Sequence, residues 1–360
     1  MHRKLILGVS YADVALSAAV PILFFYISFM LAIDMYAAKK GLRGLTRVEM
    51  PSLKKALKKG WFFIPTIAVL AYFIFVVRQI PQAAIYASLT AIIIVQFNKE
   101  TRFSKEKIKK LLIDTSTNSL EVLGVMLGIG FILGSFSMTG IGISFPRAIF
   151  NLAGGNTLVL IILTALTSLI MGMGMTTISC YIFLSIVVAP ALVLAGLDVM
   201  CVHLFLLYCG MLSYITPPVA VATIPASMIS GASGSKIGFM ACKLGASLLF
   251  LPFFFVVNPD LLLRGTSVPE TVQSILTMSF AVFIITQAIA GYFYGVGELK
   301  TSKLMKVVIG VVLVFGAMLL AIKGTVTDLI GLFIIAAVLI PIYSKKIVQK
   351  RKEKAAAANA

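Results

Sequence analysis

The sequence predicts an all-α, polytopic helical membrane protein with a re-entrant hairpin and a broken helix. Three observations carry this reading. The chain is 60% hydrophobic and only 12% charged, against about a quarter charged in soluble domains. Apolar stretches of bilayer-crossing length recur along the whole chain, and none has the period-2 alternation of a membrane barrel. Two apolar segments contain clusters that break helices: Gly172-Met173-Gly174-Met175-Thr176-Thr177 and Ser213-Tyr214-Ile215-Thr216-Pro217-Pro218. Each break frees backbone N–H and C=O groups. In lipid these are costly unless protein, water or a ligand satisfies them.

The elements follow in order. Met1-His2-Arg3-Lys4 makes a basic start. The long apolar run after it has no small-residue cleavage site, so it reads as a retained span from about Ala12 to Ala38. A basic loop follows, with Lys39, Lys40, Arg43, Arg47, Lys54, Lys55, Lys58 and Lys59. Leu53, Leu57 and Trp61 recur there at helical spacing, which predicts an amphipathic helix on the membrane surface. Spans at Trp61 to Val77 and Gln82 to Phe97 are joined by a turn holding Arg78 and Pro81. A second basic loop runs from Lys99 to Lys110. Ser119 to Met138 is the next span. Its Gly124, Gly128, Gly130 and Gly134 would let another helix approach closely. Gly140 to Asn156, with Pro146 and Arg147, reads as an interfacial segment on the outer side.

No charged residue occurs from Thr157 to Gly196. Two full spans would need a watered connection at the Gly-Met-Gly-Met-Thr-Thr cluster, which offers no charged or turn-forming polar residue. A hairpin at 157–196, entering from outside and returning, fits better, although two full spans can also be drawn. Leu197 and Asp198 form the outer turn. Val199 to Gly231 crosses inward as a broken helix, with a new helix N-terminus expected at Pro217. Gly231 to Lys236 is an inner turn, and Ile237 to Val257 crosses back. Three more spans cover Val272 to Tyr294, Leu304 to Ile322 and Val326 to Tyr343. A basic tail, 345–360, has an Ala-rich end that is expected to be disordered.

The net charge of +18 lies in short loops and the tail, where it sets orientation by the positive-inside rule. The loops around Lys54, Lys107, Lys236 and Lys303 and the C-terminus are therefore expected in the cytoplasm. The basic clusters have no nucleic-acid-binding fold around them, so no nucleic acid partner is expected. Cys180, Cys201, Cys209 and Cys242 have no C-x-x-C spacing and read as small buried residues. Neither His2 nor His203 pairs with them at a metal-site spacing. The sequence carries no G-x-S-x-G, H-E-x-x-H or P-loop motif, so no enzyme reading and no ATP-driven reading stands.

The two breaks are the candidate sites, because secondary transporters build mid-membrane sites from interrupted helices. At the first, Gly172, Gly174, Thr176 and Thr177 supply carbonyls and hydroxyls. At the second, Ser213, Ile215, Thr216 and Pro217 do the same, and the prolines leave carbonyls one turn earlier without donors. A packed tight turn and a plain proline kink are the structural alternatives. Glu121 and Lys243 read as snorkelling side chains near span ends. His203 reads as a helix-end histidine or a proton or substrate contact.

Several blocks in order resemble a known family. They are Gly172-Met173-Gly174-Met175 before Thr176-Thr177, Ala189-Pro190-Ala191-Leu192, His203-Leu204-Phe205, Leu212 through Ala220, and Asn258-Pro259. The set resembles the large membrane subunit of tripartite ATP-independent periplasmic (TRAP) transporters, in the fused-permease branch, from about Tyr11 to Leu263. The resemblance implies an elevator-type architecture of two inverted repeats, of which this chain is similar to the C-terminal half. On that reading 1–38 is the last span of a first repeat and 39–60 a cytoplasmic loop with an interfacial helix. Residues 61–263 form the second repeat, with hairpin 157–196 and broken helix 199–231, and 264–344 add three spans. The resemblance further implies sodium as coupling ion, with Gly174, Thr177, Ile215 and Thr216 as ligands, and organic acids of dicarboxylate type as substrates. No tightly bound cofactor is implied. Expected partners are a periplasmic substrate-binding protein, a small membrane subunit or fused equivalent, a companion chain carrying the first repeat, and the lipid bilayer of the cytoplasmic membrane. The alternative is a truncated or accessory membrane subunit without transport of its own. The family usually has proline where this chain has Thr176 and threonine where it has Ile178.

Overall fold

The computed structural model describes residues 11–44, 46, 49–50, 52–61, 63–97, 102–173, 175–217, 220–265, 267–299 and 301–358. Sixteen α-helices account for nearly all of its regular structure. They fall into two compact units, one of residues 1–16 and 43–142 and the other of residues 17–42 and 143–360.

Helix α1 (Tyr11–Lys40) carries Asp13 in its first turn and Lys39 and Lys40 in its last, signs that complement the helix dipole. In the first unit, α2 (Leu53–Gly60) is short and lysine-rich. Leu53, Leu57 and Trp61 are all exposed, as a helix lying on a membrane requires. Helix α3 (Phe63–Ala71) runs into a π-helical turn at Tyr72–Val76. Arg78 then takes a left-handed φ of 59°, and α4 (Ile80–Val95) returns against α3. Stacked Phe73 and Tyr86 rings, 4.7 Å apart, pin the pair. Helix α5 (Lys105–Thr139) starts well before the expected Ser119, because Ser104 caps it by accepting from the Lys107 N–H at 3.3 Å. Gly140, with φ 69°, ends it. Within this unit no described atom comes within 4 Å of a Cβ built on Gly124, Gly128, Gly130 or Gly134.

The second unit opens with α6 (Ile141–Leu152) and α7 (Thr157–Gly172), which cross at 110°. That is the bend expected where an interfacial helix turns into the membrane. The Asn156 carboxamide oxygen caps α7, accepting from the Leu158 and Val159 N–H groups. Next come α8 (Thr177–Val187) and α9 (Ala189–Leu194), broken at Val188 just ahead of Pro190. Helix α10 (Val199–Leu212) is capped by Asp198 and buried on nearly every side. An apolar helix without a polar face belongs inside a bundle, and α7, α8 and α13 surround it.

Helix α11 (Thr223–Ser230) is followed by α12 (Gly234–Leu244) and α13 (Ala246–Val257). The last two are bent by 48° at Gly245, so the span expected from Ile237 to Val257 is a kinked pair. A 3₁₀ turn at Pro259–Leu262 leads to α14 (Val268–Ala290). A small antiparallel ribbon, Tyr292–Phe293 against Gly297–Glu298, was not legible in the sequence. Helices α15 (Lys303–Leu319) and α16 (Thr325–Ala358) complete the unit. They pack through glycine: a Cβ on Gly331 would stand 2.6 Å from the Gly316 carbonyl oxygen. The Ala-rich end expected to be disordered continues α16 through Ala358.

Among the described residues, α1, α14 and the 325–344 stretch of α16 are each long and apolar enough to cross a membrane, as are two bent pairs taken as single spans. Helix α14 has 23 residues, about 34 Å of rise, and its two ends carry separate polar clusters. At one end Glu298 pairs with Lys39 at 3.1 Å and Lys306 at 3.0 Å, and the Tyr294 hydroxyl donates to Asp34 at 2.6 Å. At the other, Lys323 bridges buried Asp260 at 2.9 Å and Glu270 at 2.7 Å. The C-terminal end of α1 and the α14–α15 connection therefore share one face.

Candidate functional site

The site forms where the two helix breaks meet. Helix α10 has 14 residues, about 21 Å of rise, so it stops well short of crossing a hydrocarbon core of roughly 30 Å. Its C-terminal end, from Gly210 to Thr216, packs against the tip between α7 and α8.

The chain doubles back at that tip. The Cys180 sulfur on α8 lies 3.7 Å from the Ser168 carbonyl on α7. In one continuous helix those positions would be about 18 Å apart. Gly172 makes the approach possible: a Cβ there would sit 2.6 Å from the Gly210 carbonyl oxygen and 2.7 Å from Ser213 Oγ. Any side chain would push α7 off α10. Gly174, expected to supply a ligand, lies outside the described residues.

The two threonines after the tip do different work. Thr176 caps α8, accepting from the Ser179 N–H at 3.4 Å and pairing with the Ser179 hydroxyl at 2.8 Å. Thr177 gives its backbone N–H to the Tyr214 hydroxyl at 2.9 Å, a direct tie between the breaks. Its own hydroxyl oxygen is buried and, among the described residues, is the one buried side-chain oxygen or nitrogen without a hydrogen-bond partner. Such a group costs free energy unless something else meets it.

Across the junction Ser213 is fully buried and donates to the Gly210 carbonyl at 2.8 Å. Thr216 donates to the Leu212 carbonyl at 2.7 Å, and its oxygen accepts from the Cys242 thiol at 3.9 Å. The Ile215 carbonyl receives the Cys242 thiol at 3.4 Å. Pro217 has no N–H to offer the Ser213 carbonyl, and its ring packs where a Cβ on Gly238 would stand, 2.9 Å from Cγ.

The expected helix N-terminus at Pro217 is not there. Among the described residues after Leu212 none is helical before Thr223. The Ala222 N–H closes the loop onto the Tyr214 carbonyl at 3.0 Å, and Ala220 takes φ 40°. Two adjacent prolines prolong the break because neither donates and each disfavours α geometry before it. The helix N-terminus at this junction is that of α8.

Tyr214 is the residue that sequence reasoning missed. It stood inside the second cluster, yet nothing in spacing shows that a tyrosine there reaches a backbone N–H of a distant helix. His203 is buried, its Nδ1 lying 3.0 Å from the Tyr181 hydroxyl, so it joins α8 to α10. Asp198 is committed to capping α10 through the Met200 and Cys201 N–H groups.

The junction therefore gathers neutral oxygens: hydroxyls of Thr177, Ser213 and Tyr214 and the Gly210 carbonyl, with the Thr216 hydroxyl two residues beyond Tyr214. Among the described residues no group of three or more His, Cys, Asp or Glu side chains could hold a metal. Oxygen donors without carboxylates suit a hard cation of low charge.

A multi-pass helical chain in which a hairpin tip meets a broken helix belongs to the structural class of membrane transport proteins. The profile of the tripartite ATP-independent periplasmic transporter DctM component matches residues 2–271. The chain belongs to that family, the TRAP transporter large membrane subunits. No match was found among curated proteins or solved structures. Membership makes the chain a permease component and implies two kinds of partner, a substrate-binding protein and a small membrane subunit. Most of α14, all of α15 and all of α16 lie beyond the matched residues.

Proposed function

We propose that this permease couples the import of organic acids of dicarboxylate type to sodium, at the junction of the 157–196 hairpin and the broken α10. The buried, partnerless Thr177 hydroxyl carries the reading. It supports a ligand set with Thr216 and the Ser213 carbonyl left without a donor by Pro217, because the Tyr214 hydroxyl already ties the two breaks together. Thr177, Thr216, the Ile215 carbonyl and the tip around Gly172 and Gly174 would hold the ion. Thr176 and Ser213 support them, one as a cap and one as a wedge between helices. A bound sodium would supply positive charge to an otherwise neutral site. The N-terminus of α8 adds the positive end of its dipole for a substrate carboxylate, the role first expected of a helix starting at Pro217.

In this reading the chain works as an elevator-type half, with a companion chain supplying a matching hairpin and broken helix. It lies in the cytoplasmic membrane with its C-terminus inside, and a periplasmic binding protein delivers substrate. The test is counterflow of radiolabelled organic acids in proteoliposomes at fixed membrane potential. Counterflow that requires sodium supports the proposal. Counterflow unchanged in sodium-free buffer overturns the coupling. No counterflow, even with the companion and partner chains present, favours an accessory subunit.

A further inference from the structure

We propose that a second site, on the face opposite the Asp260–Lys323 cluster, binds the phosphate head group of an anionic phospholipid. A cavity of about 300 Å³ opens between the C-terminal end of α1, helix α12 and the C-terminal end of α14. Its rim holds Lys39, Lys40 and Lys243, with Tyr36 beside them and Met240 and Leu244 in its wall. The volume equals roughly ten waters at 30 Å³ each, room for a phosphodiester head group of about ten heavy atoms.

Charge and shape both select the ligand. Lys39 shares the Glu298 carboxylate with Lys306, and the nearby Asp34 carboxylate is engaged by the Tyr294 hydroxyl. Lys40 and Lys243 are exposed and have no ion pair among the described residues. Two lysines without an ion pair, beside a third held by Glu298, leave a positive surplus at the cavity that an anion would neutralise.

Ala32 and Tyr36 of the cavity lie on α1 next to exposed apolar residues of the same helix. Met30, Ile33 and Lys40 follow one another along a face of α1 at helical spacing with Tyr36, and Met30 and Ile33 are exposed. An acyl chain can lie along Met30 and Ile33 while its phosphate meets the lysines, with Tyr36 at the level where aromatic rings favour the membrane interface. A soluble phosphate would use the lysines alone and leave the apolar stripe without a role. Basic pockets between membrane helices on the cytoplasmic side are suited to such head groups, and the positive-inside rule puts this end of α1 on that side. The site involves α1, α12 and α14; α12 also touches the second break through Cys242, but head-group binding by the lysines does not depend on sodium coupling.

Native mass spectrometry of the delipidated full chain, titrated with phosphatidylglycerol, tests this. The wild type should retain phosphatidylglycerol over phosphatidylcholine of the same acyl chains. Lys40→Gln/Lys243→Gln should bind it at least about tenfold more weakly, whereas Lys40→Arg/Lys243→Arg should bind as the wild type does. Glycerol 3-phosphate at millimolar concentration should not displace the lipid. Equal retention of the two lipids, equal binding by the glutamine variant, or displacement by the soluble phosphate would each overturn the proposal. If the glutamine variant fails to fold, the lipid comparison and the arginine variant still decide.

Discussion

Gly172 shows how one residue sets the geometry of the junction. A methyl group there would meet a backbone carbonyl at 2.6 Å, and a carbonyl cannot rotate away as a side chain can. Gly172→Ala is therefore expected to force α7 off α10 and to destabilise the protein by about 1–3 kcal/mol, the usual range for overpacking. A thermal melt of the purified protein measures it; an unchanged midpoint would mean that the helices do not press together there. Thr177 makes the opposite kind of prediction. Its partnerless hydroxyl should cost about 1–3 kcal/mol in the ion-free state. Thr177→Val keeps the shape and removes that cost, so it should raise the melting midpoint in sodium-free buffer and abolish any further rise on adding sodium. A variant that still gains stability from sodium would remove Thr177 as a ligand. Thr216→Val should raise the sodium concentration for half-maximal transport roughly tenfold, the equivalent of about 1.4 kcal/mol.

Among the elements, the ribbon after α14 has the clearest testable energetics. Hydrogen bonds from Lys306 and then Lys39, with the charge of Lys39, hold the Glu298 carboxyl below the ordinary carboxylate range. A depressed folded-state value means that the contact stabilises above the unfolded value and fades as pH falls through the folded one. The melting-point gap between wild type and Glu298→Gln should thus be present at neutral pH and narrow as pH falls below the ordinary carboxylate range. A gap of constant size across that range would show that the ion pairs do not carry it. The helices themselves were largely legible from apolar length, and so were the starts at Thr157 and Val199; that Asn156 and Asp198 cap them was seen only in the structure. The restart of the broken helix was not. Pro217 suggested a helix N-terminus there, but the Ala222 N–H closes back onto the Tyr214 carbonyl and helix resumes only at Thr223. Local propensity marks where a helix fails and says less about where packing lets it begin again.

For the whole molecule, the distribution of basic residues predicts that the loops around Lys54, Lys107, Lys236 and Lys303 and the C-terminal tail share the cytoplasmic side. Single cysteines in the Lys107 and Lys303 loops should be labelled only after the membrane is permeabilised. Labelling of one loop from outside would defeat the topology. By itself the sequence determined the membrane class, most of the helices, the two breaks at 172–177 and 213–218 and the family. In lipid these depend on apolar length and backbone satisfaction, which are local properties of the chain. Only the tertiary structure decided that Tyr214 ties the hairpin to the broken helix, that Thr177 rather than Thr176 keeps an unmet hydroxyl, and that three lysines from two distant segments line one cavity. Those facts depend on contacts between residues far apart in sequence, which packing alone specifies.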